Sequence, residues 1–227
     1  MSLPVLVFAQ GEGSLKIIVE PVFDKAHLQL ETAVYVNAHG DSLYIDEFKF
    51  YLSNLRFANH EMIWGEPDSY HLVDASDQNT QTFVLKNVPV GAYGSLMLTI
   101  GVDSMANVSG ANGGDLDPVK GMYWAWNTGY IMTKLQGRSK VCKTLHHAFE
   151  FHIGGYMPPN AARNVSLYVP GLKIEAGKET VLHLKANAAE WFKNPETVDL
   201  AKMNEVNMPC KDAMKVADNY ADMLSVE

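Results

Sequence analysis

The feature that most limits what this chain can fold into is a period-two alternation of apolar and polar residues, repeated in short runs along most of its length. Leu15-Lys16-Ile17-Ile18-Val19-Glu20-Pro21-Val22-Phe23, Leu28 to Val36, and Ile45-Asp46-Glu47-Phe48-Lys49-Phe50-Tyr51-Leu52-Ser53-Asn54-Leu55-Arg56-Phe57 carry β-branched or aromatic residues at alternate positions. Further runs follow at Tyr70 to Asp74, Gln81 to Leu85, Gly94 to Val102, Gly129 to Leu135, Ala148 to Ile153, Val165 to Val169, Leu172 to Ile174 and Thr180 to Lys185. Turn residues punctuate them, as in His39-Gly40-Asp41, Asn87-Val88-Pro89 and Pro170-Gly171. Many short strands without intervening helices predict an all-β fold, a single β-sandwich of jelly-roll-like kind. Helical spacing appears only late. Ala186 to Phe192 reads as a short helix stopped by Asn194-Pro195, and Ala213, Met214, Val216, Ala217, Tyr220, Met223 and Leu224 predict an amphipathic helix starting near Pro209.

Composition excludes several classes. Of 227 residues 47% are hydrophobic and 19% charged, which rules out a disordered chain. The net charge of -8 argues against a phosphate-backbone grip, so nucleic acid is not the expected partner. No run reaches the roughly 18 to 20 apolar residues of a membrane-spanning helix. Residues 1–10 read as the tail of a signal peptide behind a vector-derived Met-Ser-Leu, leaving 11–227 as one domain and predicting a periplasmic or secreted protein. Two cysteines, Cys142 and Cys210, suffice for one bridge in an exported protein, tying the middle of the chain to its last helix.

One stretch breaks the strand grammar. Gly101 to Tyr130 is too long for an ordinary connection, is rich in Gly, Asn and Asp, and ends in Trp124 and Trp126. Long connections of this kind are functional or disordered, and paired tryptophans speak against disorder. If Tyr130 to Leu135 and Ala148 to Ile153 pair as antiparallel neighbours, Trp124 and Trp126 lie near His152, Tyr156 and Met157 at one end of the sheet. Imidazole suits copper among other metals, and thioether favours Cu(I), which makes Met122 and Met157 candidate soft ligands beside His152. His71 with Asp74 or Asp103 offers another site, while His39 and the His146-His147 doublet read as turn residues. Asp103, Asp115 and Asp117 form a rival, a calcium site with hard oxygen ligands. No nucleophile elbow, metalloprotease motif or phosphate loop is present, so the reading is a binding protein rather than an enzyme.

Phe50-Tyr51-Leu52-Ser53-Asn54-Leu55, His71-Leu72-Val73-Asp74, Gly101-Val102-Asp103-Ser104, Gly121-Met122-Tyr123-Trp124-Ala125-Trp126-Asn127-Thr128-Gly129-Tyr130 and Phe151-His152-Ile153-Gly154-Gly155 together resemble the MbnP family of exported, β-rich proteins. The Met-x-Trp-x-Trp-x-x-Gly-Tyr element is the most specific part. The resemblance implies copper binding outside the cytoplasm, in some members with a tryptophan oxidised to kynurenine, a position matched by Trp124 or Trp126. It also implies His152 as a ligand and a dihaem cytochrome c peroxidase-like protein as partner. Copper-binding members commonly carry Asn-His before the tryptophans where this chain has Asn107-Val108, marking a divergent member. The alternative function is an extracellular carbohydrate- or peptide-binding module that uses exposed tryptophans and a structural calcium ion.

Overall fold

The computed structural model describes residues 11–126, 129–157 and 160–227; the expected signal-peptide remnant at 1–10 lies outside them. The strands, in chain order, are β1 (Glu12–Phe23), β2 (Ala26–His27), β3 (Tyr35–Val36), β4 (Ser42–Ala58), β5 (Ile63–Gly65), β6 (Tyr70–Asp74), β7 (Thr82–Pro89), β8 (Gly91–Ile100), β9 (Tyr123–Trp124), β10 (Gly129–Arg138), β11 (Ala148–Gly154), β12 (Arg163–Ile174), β13 (Glu179–Asn187), β14 (Glu205–Val206) and β15 (Leu224–Val226). Two α-helices join them, α1 (Ser104–Val108) and α2 (Lys211–Tyr220). One sheet runs β15-β13-β1-β2, with β7 also paired to β1. The other runs β12-β8-β4-β10-β11-β14, with β3, β5 and β6 also paired to β4.

The sandwich expected from the alternation is present. Ile17, Val19, Phe48, Phe50, Leu52, Phe149, Phe151 and Ile153 are all fully buried, and the buried apolar residues form one cluster between the sheets. Burying a side chain of this size stabilises by roughly 1.5–3 kcal/mol. Between β13 and the last helix, a short 3-10 turn at Ala188–Phe192 drives Trp191 and Phe192 into that cluster. Trp191 meets Phe48 edge-on at 6.1 Å, and Phe192 meets Phe149 of that same sheet at 6.2 Å and Phe23 of the other at 6.5 Å, joining the two sheets. The pairings of β1 with β13 and of β11 with β14 are parallel.

The 17-residue β4 is the spine on which the rest is arranged. Lys49 pairs with Lys134 of β10 on one side and Asp74 of β6 on the other, while Leu52 pairs with Ile100 of β8 and His71 of β6. Strands β10 and β8 therefore follow one another along the same edge of β4, opposite β6. They part at Tyr51, whose carbonyl accepts from the Gly101 amide (2.9 Å) where β8 ends. Past the split, Asn54 takes a positive φ of 54° at a register shift, so the spine bends there.

Three expectations are corrected. Leu28 to Val36 alternates like a strand, but only the residue pairs at its borders are extended. Glu31 has φ 63°, and the Tyr35 hydroxyl accepts from the Gln29 amide (2.7 Å) while its ring stacks on Phe23 at 4.4 Å. Those contacts close the segment into a loop against the core, and tertiary packing overrides propensity. The last helix stops at Tyr220 rather than running through Leu224. The Asn219 side chain at its end donates to Trp191 O (2.9 Å) and Glu196 O (2.8 Å), and Leu224 turns to pair with Ala186 of β13. Finally, Cys142 and Cys210 are both free. Cys142 Sγ faces Leu200 O, and Cys210 Sγ caps α2 by accepting from the Ala213 amide.

Candidate functional site

The long connection leaves the sandwich where β8 and β10 part and folds back over the outer face of β4, β10 and β11. Its local structure follows from its acidic and amide residues. Asp103 caps α1 by accepting from the Ala106 amide (3.0 Å), and Asp117 caps a 3-10 turn at Pro118–Lys120 by accepting from the Val119 amide (2.9 Å). Gly121 ends that turn at φ 74°, a conformation that favours glycine. Asn107, 2% exposed, donates to Val102 O and Asp103 O and accepts from the Tyr130 amide (2.8 Å), so α1 is pinned to β10. The Tyr130 hydroxyl accepts from the Asn112 amide (2.9 Å) and donates to Leu116 O (2.9 Å). Its ring packs edge-on against Tyr51 and Tyr123. Tyr51 also reaches the connection through its hydroxyl, which donates to Asp115 O (3.0 Å); burial raises its pKa. The outcome is a closed arch. The loop residues that looked available for chemistry are largely occupied in holding it.

At the foot of the arch, Trp124 pairs with Gly129 across β9 and β10 and is 5% exposed. Its ring lies on Gly154, where an added Cβ would sit 2.7 Å from Trp124 Cζ3 and from Tyr130 O. Trp126 is 65% exposed and tilted by 40° from Trp124, at 5.5 Å between centroids. His152 is two residues before Gly154 on the same face, about 7 Å along the strand. It pairs with Lys134, and its Nε2 is 2.5 Å from Gln136 Nε2, a contact that requires the ring nitrogen to accept. Burial first, and then the Lys134 ammonium, push the His152 pKa down to about 4. The imidazole is therefore neutral near pH 7, and its one lone pair, on Nε2, is engaged by the Gln136 amide, which has to turn aside before a soft cation can bind there. Lys134 is fixed by Gly121 O (2.9 Å) and lies 3.6 Å from Glu47, which is 2.9 Å from Lys49.

The other expected ligands do not meet at this point. Met122 is fully buried, and Met157 is 66% exposed. The row His152, Lys134, Lys49, Asp74 crosses four strands, so His71 on β6 lies three strand spacings away, roughly 14 Å before any offset along the strand. His71 is stacked on Phe83 at 3.8 Å and bonded to Glu66 (2.8 Å). Asp74 pairs with Lys49 (3.1 Å). The three carboxylates of the calcium reading are dispersed. Asp115 accepts from the Leu72 amide (3.1 Å) and Lys120 (2.7 Å), and Asp103 from Tyr70 (2.8 Å) and Asn54 (3.2 Å). Burial works against the Asp103 carboxylate, but those bonds and the Ala106 amide together hold its pKa below the ordinary value. Tyr70, desolvated and facing that carboxylate, is pushed up to about 12.

Sequence reasoning missed two participants. Met132 Sδ accepts from the Val102 amide (3.1 Å) and packs under Gly101, whose φ of 119° and missing side chain admit it. The group of three His, Cys, Asp or Glu donors within metal-ligand reach among the described residues is also elsewhere: His39, Asp41 and Asp199. Its spacing of Asn37, His39 and Asp41 was a signal, but Asp199 is far along the chain.

The MbnP family model matches residues 12–211. The chain belongs to the MbnP family. A solved structure, MbnP from Methylosinus trichosporium, superposes with a TM-score of 0.59 at 13% identity, covering 87% of this chain and 81% of that one. At that identity the likeness speaks for a shared MbnP fold and not for shared ligands. No curated protein matches this MbnP-family chain. No helix among its described residues is long and apolar enough to cross a membrane.

Proposed function

We propose that this member of the MbnP family is an exported copper-binding protein that holds its metal at the foot of the arch. It would act as a scavenger, carrier or redox partner of a dihaem cytochrome c peroxidase-like protein. The observation that supports this most is the seating of Trp124 on Gly154, two residues along the strand from the neutral imidazole of His152. Imidazole nitrogen is a suitable copper donor. With one histidine present and the Lys134 cation beside it, the surroundings suit a singly charged, low-coordinate ion better than a divalent one, because the repulsion grows with the charge. His71 is too distant and Met122 too deeply packed to contribute. A second donor would come from the arch itself, with Trp124 or Trp126 oxidised to kynurenine.

The test is co-production of the chain with its dihaem partner, followed by metal analysis and intact mass measurement. The expected result is about one copper per chain, a mass change on the Trp124–Trp126 peptide, and loss of copper in His152→Ala. Copper-free protein with both tryptophans unchanged would overturn the reading. The exposure of Trp126 and Met157 favours a second reading, an extracellular module binding carbohydrate or peptide. The 40° tilt between the tryptophans offers no flat platform for a sugar ring, so that reading ranks below copper.

A further inference from the structure

The opposite end of the β10–β11 hairpin gathers three segments remote in sequence: the turn at 37–41, the connection at 139–147 and the loop at 198–204. Asn37 Nδ2 donates to Val198 O (3.4 Å), Leu200 N to Asp41 Oδ2 (3.1 Å) and Ser139 Oγ to Ser42 O (2.7 Å). Where they meet, one donor atom from each of His39, Asp41 and Asp199 lies within 4.8 Å of the others. These residues take no part in the arch.

Asp41 is the unusual member. Its side chain is 7% exposed, yet no Lys or Arg pairs with it among the described residues. Hydrogen bonds compensate its burial instead. Oδ2 is served by Leu200 N and by Asn37 Nδ2 (3.2 Å), leaving Oδ1 turned toward His39 Nδ1 at 3.2 Å. His39 is 43% exposed, and its Nε2 stands 3.7 Å from Asp199 Oδ2. Asp199 is held by the Ala201 amide (3.0 Å) and by Lys202 (2.7 Å), whose own side chain is 83% exposed. With its lysine end this exposed, the pair contributes little and is readily displaced. Asp41 also lines an open cleft of about 620 Å³ with His146 and His147. Those two histidines take positive φ in succession, 57° and 59°, and strained backbone of this kind concentrates at functional positions.

We propose that His39, Asp41 and Asp199 form a second metal site, distinct from the arch, that takes a divalent transition metal of the zinc type. One imidazole nitrogen and two carboxylate oxygens are a donor set zinc accepts, at about 2.0–2.2 Å, leaving the fourth tetrahedral position to water. Tetrahedral ligands at that length stand about 3.3 Å apart. The 3.2 Å edge between His39 Nδ1 and Asp41 Oδ1 already meets this spacing. Asp199 Oδ2 approaches the other ring nitrogen, Nε2, so it enters by a side-chain rotation toward Nδ1 once Lys202 is released. The buried Asp41 supplies the fixed corner, and the exposed side of His39 supplies the path of entry.

The test is calorimetric titration of zinc chloride into the full chain, freed of metal by chelation and dialysis, for the parent, His39→Ala, Asp199→Asn and His152→Ala proteins, each checked for folding by near-UV circular dichroism. The expected result is one zinc per chain, affinity lower by at least about tenfold in His39→Ala and Asp199→Asn, and no change in His152→Ala. His39 is half exposed, so its removal leaves the core intact and keeps the test decisive if Asp199→Asn does not fold. Absence of saturable zinc binding in the parent, or binding unaltered in His39→Ala, would overturn the proposal and leave the trio a hydrogen-bonded turn. Loss of zinc in His152→Ala with retention in His39→Ala would also overturn it by moving the metal to the arch. Copper at the arch is read in the separate co-production experiment, so either reading can fail alone.

Discussion

The two ends of the β10–β11 hairpin use similar residues in opposite ways. At the arch end, Asp103, Asp115, Asp117 and Asn107 are consumed by helix caps and clamps, and the one histidine is kept neutral beside a lysine. At the far end, a buried aspartate faces a histidine, and a second aspartate is tied by an exposed lysine and a local amide. Acidic residues in a Gly-rich loop thus signal architecture here, whereas a small turn with an alternating Asn, His and Asp carries the more open donor set. What distinguishes the two ends is the kind of partner: capped amides and buried clamps at the arch, an imidazole and an exposed lysine at the far end.

Each end is fixed by a glycine of the hairpin, and replacing them separates the ends most sharply. Gly137 at the far end is pressed between Tyr44 O and the Phe149 ring, and a Cβ there would fall onto the backbone of β4. Gly137→Ala is expected to cost more than about 3 kcal/mol, measured as a lower denaturant midpoint with an unchanged slope. At the arch end the obstacle facing Gly154→Ala is partly the Trp124 side chain, which can yield. The expected cost is about 1–3 kcal/mol, with changed tryptophan fluorescence as Trp124 is lifted off the strand. Equal costs at the two glycines would show that the arch is as rigid as the sheet.

The clamp within the arch gives the next effect. Tyr130→Phe removes the hydroxyl that accepts from Asn112 and donates to Leu116 O, leaving a buried carbonyl without its donor. A loss of about 1–3 kcal/mol is expected. Hydrogen exchange would show the opening at residues 107–121 and not at 37–41. Uniform loosening of both ends would argue that the arch and the hairpin unfold as one unit.

Most of the sheet was legible because alternation is a direct imprint of a two-faced strand, and β4, β6, β10 and β11 fall where it predicted. The meeting of Trp124 with the His152 strand was legible too, since antiparallel neighbours put the start of β10 beside the end of β11. Alternation failed at Leu28 to Val36, where the Phe23–Tyr35 stack decides the backbone and is invisible to a local pattern. It also could not reveal that Met122 turns into the core, or that Asp199 returns beside His39. Both depend on contacts between distant segments, and sequence spacing carries no trace of those.

His152 makes a smaller, pH-dependent contribution at the arch. Its folded pKa of about 4 lies below the ordinary 6.5, so the folded protein binds fewer protons than the unfolded chain between those values. Stability from this group is complete above about pH 6.5 and falls as the pH drops toward 4. Discounted for its partial exposure, the loss amounts to about 2 kcal/mol. Denaturant midpoints at stepped pH for the parent and His152→Gln should diverge in that window and run parallel above it. Parallel curves throughout would mean that the ring is solvated and that Lys134 does not bear on it.

The smallest effect belongs to the far end. Lys202 is 83% exposed and pairs with Asp199, so Lys202→Ala should leave the unfolding midpoint unchanged within error. Lys202 also holds the Asp199 carboxyl below the usual range, ahead of the Ala201 amide and His39. Removing it keeps that carboxylate ionised near neutral pH while freeing its oxygen. Zinc affinity should therefore rise in Lys202→Ala as a positive charge leaves the rim of the site, measured in the same titration as the parent. A drop in affinity would mean that Lys202 positions Asp199 rather than competes for it, and the openness that sets this end apart from the arch would be lost.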